Sequence, residues 1–169
     1  FLGGSTLSSA DLTNATMVGA DFAGAVLNGT TLTGVDLTGA TLYGTKSQGL
    51  VGVPLAMPTG FALINGHFVG AGVNIMGADL TGANLAGFDL SNADFSDVIL
   101  TGANLDGANL SSTFLLGADL AGASLDGADL SGALLAVADF TNADLTNAVL
   151  TGANMDDSIL VGTTLTGAD

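Results

Sequence analysis

The stretch "TGANLDGANLSSTFLLGADLAGASLDGADLSGALL", Thr101–Leu135, carries Leu105, Leu110, Leu115, Leu120, Leu125, Leu130 and Leu135 at intervals of five. An α-helix repeats every 3.6 residues and a strand every two, so neither explains the spacing alone. A short extended side followed by a corner does. In an extended stretch, alternate side chains point to opposite faces. The leucine and the alanine two before it then share the inner face, and the Asp or Asn between them faces water. Gly or Asn two residues after the leucine supplies the permissive backbone of a corner. One such side cannot bury its own leucine, but a stack of them can, which is the logic of a solenoid.

The pattern extends in both directions. From Ile75 to Leu165, 19 positions keep the spacing and 15 are Leu, the others being Ile75, Phe95, Phe140 and Met155. Ala stands two before in 13 of the 19, with Thr113 and Thr163 among the exceptions. Upstream, Leu2, Leu7, Leu12, Met17, Phe22, Leu27, Leu32, Leu37 and Leu42 repeat it in another register.

"ADLTG", "ANLAG" and "ADLSG" resemble the A(D/N)LXX signature of pentapeptide-repeat proteins. The resemblance implies an all-β fold, a right-handed quadrilateral parallel β-helix of about 20 residues per coil, with coils stacked at about 4.8 Å. The expected organisation is one solenoid domain over 1–169. It has a first array at 1–42, an insert at 43–73 and a second array at 74–169. The insert "YGTKSQGLVGVPLAMPTGFALINGHFVGAGV" contains Pro54, Pro58, Lys46 and His67. Its Asn65-Gly66 pair is a strong hairpin signal and predicts strands at Ala62–Ile64 and His67–Val69. The prolines, which cannot donate to a ladder, are expected at a loop or coil edge. Similar inserts occur in some bacterial members of the family.

Composition narrows the function. Net charge is −15, every acid is Asp, and Lys46 is the only Lys or Arg. Direct nucleic-acid binding, which needs cations to displace counterions, is not expected. Binding to an anionic membrane is not expected either, and no apolar run is long enough to span a bilayer. Basic proteins, dissolved cations and further copies of the chain remain as partners. The chain has no Cys, which removes disulfides and thiolate chemistry. His67, the sole imidazole, reads as a surface residue of the hairpin. Asp pairs such as Asp119/Asp139 and Asp106/Asp126 follow from stacking and do not mark a catalytic site. No enzyme, cofactor or dedicated metal site is expected, with Ca²⁺ at most a loosely held counterion of the acidic walls.

The informative departures are apolar residues at outward positions. Phe114, Leu116, Leu134 and Ala136 are expected to form one exposed patch, and Ile159 with Val161 a smaller one on another wall. Such patches mark interfaces. Phe1 and the closing "TGAD" fall in mid-repeat, so a processed product or a segment of a longer protein is expected, with uncapped ends that could stack head to tail. The leading expectation is a self-associating structural subunit of an extracellular or cell-surface filament. The alternatives are a cytoplasmic acidic DNA mimic that binds a type II topoisomerase such as gyrase, as some family members resemble, and a protein-binding module of a larger secreted protein.

Overall fold

The computed structural model describes all 169 residues. Two compact units, Phe1–Ile75 and Met76–Asp169, are each built from stacked coils. Within each, parallel bridges join residues 20 apart, as in Thr6↔Val26, Asp11↔Thr31, Asp119↔Asp139 and Phe114↔Leu134. Only two continuous strands occur, β1 (Ala62–Ile64) and β2 (His67–Val69).

The backbone of one repeat shows why five residues suffice. In Asp139–Ala143, Asp139 N–H donates to Ala118 O on the preceding coil, while Phe140 and Asn142 N–H donate to Ile159 and Val161 O on the next. Ala143 N–H donates to Phe140 O at 2.9 Å, closing a β-turn. The remaining donor, Thr141 N–H, bonds Asp139 Oδ1 at 2.8 Å. All five donors are satisfied, as buried or half-buried backbone requires. The corner residue two after the leucine has positive φ, for example +62° at Gly107, +57° at Asn92 and +59° at Asn142. That is the third position of a type II-like turn, hence Gly or Asn.

The interior alternates large and small side chains. Leu105, Leu110, Leu115, Leu120 and Phe140 are fully buried, as are Ala108 and Ala128. Where Thr replaces the inner Ala, its hydroxyl is used: Thr113 Oγ1 donates to Leu90 O at 3.1 Å and Thr163 Oγ1 to Phe140 O at 2.7 Å. In the last coil the repeat centres Leu160 and Leu165 are exposed.

Within 43–73 the coil ladder persists ahead of the hairpin. Lys46, Val51 and Ala56 still hold bridge positions against Val26, Thr31 and Asp36, so the bridge ladder continues to Ala56 although the leucines are gone from the centres and the turn bonds change, Leu50 N–H donating to Gly66 O and Leu55 N–H to Val35 O. The next bridge, Lys46↔Asn74, spans 28 residues, eight more than the others. Eight is one repeat plus three, which moves the centres from numbers ending in 2 or 7 to those ending in 0 or 5. The extra length is the hairpin. β1 and β2 pair antiparallel in the register Ala62↔Val69, Leu63↔Phe68, Ile64↔His67. Asn65 and Gly66 both have positive φ, +49° and +78°, as a type I′ turn demands.

His67 is not a surface residue. Its hairpin strand folds inward, burying His67, Phe68 and Val69. Ser47, at a centre position too small to fill its coil, receives them. Its hydroxyl accepts Phe68 N–H at 2.9 Å, and its carbonyl lies 2.7 Å from His67 Nδ1, which must carry the proton.

Candidate interaction surface on the coil walls

On every wall the residue before the centre points outward. Where it is Asp or Asn, its side chain folds back onto the N–H two residues on, as in Asp79 to Thr81, Asp89 to Ser91 and Asn109 to Ser111. A Thr at that second position adds its hydroxyl. Hydrogen bonds from the Thr side chain first, and the Thr backbone second, hold the Asp11, Asp36, Asp139 and Asp144 carboxyls below their ordinary value of 3.8. These aspartates are therefore structural acceptors committed to the corner. No group of three or more His, Asp or Glu side chains is placed to hold a metal ion.

One wall breaks this rule over two successive coils. Its outward positions run Asp94, Phe114, Leu134, Asn154, joined by bridges Asp94↔Phe114, Phe114↔Leu134 and Leu134↔Asn154. The next column reads Ser96, Leu116, Ala136, Asp156, and the corner column Asp97, Gly117, Val137, Asp157. The two middle coils are thus apolar across all three columns, and the flanking coils carry Asp94 and Asp97 on one side, Asp156 and Asp157 on the other. Phe114 is 48% exposed, Leu116 51%, Leu134 42% and Val137 57%. Ala136 is half-buried. Phe114 and Leu134 have no acceptor to offer, so the corner bond that Asn154 gives Asp156 N–H at 2.8 Å has no counterpart at Leu116 and Ala136.

Four of the six residues singled out from the sequence therefore come together. Ile159 and Val161 are exposed on a different wall, where Ile159 bridges Asp139, and do not extend the band. Val137 was missed. It occupies the corner position with φ +62°, a conformation that is a genuine outlier for a β-branched residue. Its signal was present in the sequence as a Val two after Leu135, where Gly or Asn is the rule.

The closed hydrogen-bond ladder of five-residue sides defines a parallel β-helix. The pentapeptide-repeat family model matches in eight copies, over residues 4–44, 74–111, 99–135 and 137–169, and the chain belongs to that family, whose members form right-handed β-helices. A pentapeptide-repeat protein from the Arabidopsis thaliana thylakoid lumen is 32% identical over 57% of this chain and 67% of its own, with a TM-score of 0.56. HetL, involved in heterocyst differentiation regulation in the cyanobacterium Nostoc, is 32% identical over 98% of this chain and 74% of its own, with a TM-score of 0.33. The plasmid-mediated fluoroquinolone resistance protein QnrB1 is 19% identical over 98% and 79%, with a TM-score of 0.39. No curated protein sequence is significantly similar to the chain. No helix is long and apolar enough to cross a membrane.

Proposed function

We propose that this chain is a non-enzymatic solenoid that works by docking another protein on its walls. Each unit is a right-handed, four-sided column: bridge partners 20 residues apart leave four pentapeptides, hence four sides, to each coil. The observation that carries the docking role is the band Phe114, Leu116, Leu134 and Val137. On the flanking coils of the same wall Asp94 and Asn154 accept the corner N–H, and apolar outward residues on the other walls of this unit, such as Ile99 and Val149, are not stacked on successive coils, so the band forgoes two corner hydrogen bonds and accepts an unfavourable φ at Val137. Local rules broken without an intrinsic gain point to function.

This favours a protein-binding module over lateral self-association and over a DNA mimic. Lateral self-association would lay one copy of the band on another and bring two sets of flanking aspartates together, within a pair of chains carrying −15 each. A DNA mimic requires continuous acidic rows, and Phe114 with Leu134, together with Ile99 and Val149 on other walls, interrupt them.

Three measurements test the reading. Sedimentation velocity over a wide concentration range is expected to show no self-association, and a gyrase supercoiling assay no inhibition. Quantitative crosslinking in the source cells' secreted and cellular fractions, comparing wild type with Phe114→Asn/Leu134→Asn, is expected to give neighbours that only the wild type retains. Equal crosslinking by both proteins removes the band as the docking face.

A further inference from the structure

The band's size and charge frame specify its partner. Half-exposed Phe114, Leu116, Leu134 and Val137 together offer roughly 350 Å² of apolar surface, within the ~300–600 Å² of the largest patches on monomers. A standard stable interface takes about 800 Å² from each partner. The band is thus too small for a folded, flat-faced partner held by apolar contact alone. The area it lacks has to be offset by charge, and the charge around it is of one sign. Asp94 and Asp97 lie on one flanking coil and Asp156 and Asp157 on the other. Asp97, Asp156 and Asp157 are exposed and Asp94 half-buried. Asp97 leans over Gly117, whose absent Cβ would stand 2.7 Å from Asp97 Oδ1, so the carboxylate sits at the edge of the band. The outer rows are three coil spacings apart, about 14 Å.

We propose that the band docks a short amphipathic segment of another protein, apolar at its centre and carrying Lys or Arg on both flanks. This rests on the docking reading above and names the partner's chemistry. Two central aliphatic side chains cover Phe114 and Leu134. The flanking cations, on long flexible stems, reach the acidic rows on either side. A second copy cannot supply this pattern, because its only cation is Lys46, on the other unit from the band. Complementary charge also steers encounter and makes the association fall with salt.

The test uses the full chain and a fluorescent nine-residue peptide with two leucines at its centre and two arginines at each end. Anisotropy is read near physiological ionic strength. Binding is expected to be saturable, and to weaken about tenfold or more with Phe114→Asn/Leu134→Asn, a loss typical of central anchors. A peptide with serines for leucines should lose about as much. Asp97→Asn/Asp156→Asn/Asp157→Asn should weaken binding and flatten its salt dependence, whereas Asp89→Asn/Asp129→Asn, on another wall, should not change it. Asn at 114 and 134 matches Asn154 on the same wall, so that variant is expected to keep the fold, which an unchanged far-UV circular-dichroism spectrum checks. Absence of binding by the wild type overturns the inference, as does equal binding of the serine peptide. Equal binding by the Phe114/Leu134 variant overturns it too. If the peptide fails but crosslinked neighbours still depend on Phe114 and Leu134, the docking reading stands and only the basic partner is wrong.

Discussion

Phe114 and Leu115 are neighbours in sequence and opposites in the fold, so truncating each should have different costs. Leu115 is fully buried at a coil centre. Leu115→Ala removes its transfer free energy and leaves a cavity between coils, a loss of about 2–5 kcal/mol. Phe114 is 48% exposed. Phe114→Asn gives up half of an aromatic's burial, about 1–1.5 kcal/mol. It regains an acceptor for Leu116 N–H, equivalent to Asn154 Oδ1 on the same wall, which accepts Asp156 N–H at 2.8 Å, worth about 0.5–1.5 kcal/mol. The net change is within about 1 kcal/mol. In urea, with a slope of about 1–3 kcal/mol/M, Leu115→Ala should lower the midpoint by about 1–2 M and Phe114→Asn should barely move it. Far-UV circular dichroism follows the transition, since the chain has no Trp. A one-residue slip exchanges the two faces, so a larger loss at Phe114 than at Leu115 would refute the register and with it the outward band.

Acid should destabilise the protein through its corners. Asp11, Asp36, Asp139 and Asp144 titrate lower in the folded chain than their ordinary 3.8, so the unfolded chain binds more protons. Their contribution is complete above the unfolded value and lost as pH falls through the lower folded values; replacing all four with Asn, which keeps the acceptor, should flatten the acid limb of a stability-versus-pH curve, and an unchanged limb would count against it. Gly66→Ala should cost more than about 1 kcal/mol, because φ is +78° and the new Cβ would stand 3.2 Å from Leu50 N and O. Gly107→Asn, with φ +62° and open space around it, should stay within about 0.5 kcal/mol; equal losses in urea would contradict the two corner environments. Val137→Asn, which places a residue tolerant of positive φ at that corner, should leave the urea midpoint unchanged or higher, despite deleting an aliphatic side chain.

Much of the fold was legible because period five has few physical solutions. The inward Leu and Ala, the outward Asp and Asn, and the corner Gly follow from alternation and turn chemistry, and the hairpin follows from Asn65-Gly66. What the period did not reveal lies where side chains substitute for one another in space. Ser47 looks like a lost leucine, and only the folded chain shows Phe68 and His67 arriving from 20 residues away to fill its place. Inside the insert the bridge ladder to Ala56 likewise survives without its leucines, since main-chain bonding does not read side-chain identity. Val137 departs from the pattern at the corner and not beside the centre, where the period alone carries no apolar signal.

The corner also accounts for the chain's composition. Each repeat leaves one N–H that neither ladder nor turn satisfies, and an acceptor on the side chain two residues earlier can reach it. Asp and Asn have that reach; Glu, a methylene longer, does not close the same ring, and the chain contains no Glu at all. Much of the −15 charge therefore follows from repeating a corner. This is why acidic rows by themselves mark no site on the column. A site is marked where the corner chemistry is given up, and Phe114, Leu134 and Val137 give it up together on adjacent coils of one wall, between rows that keep it.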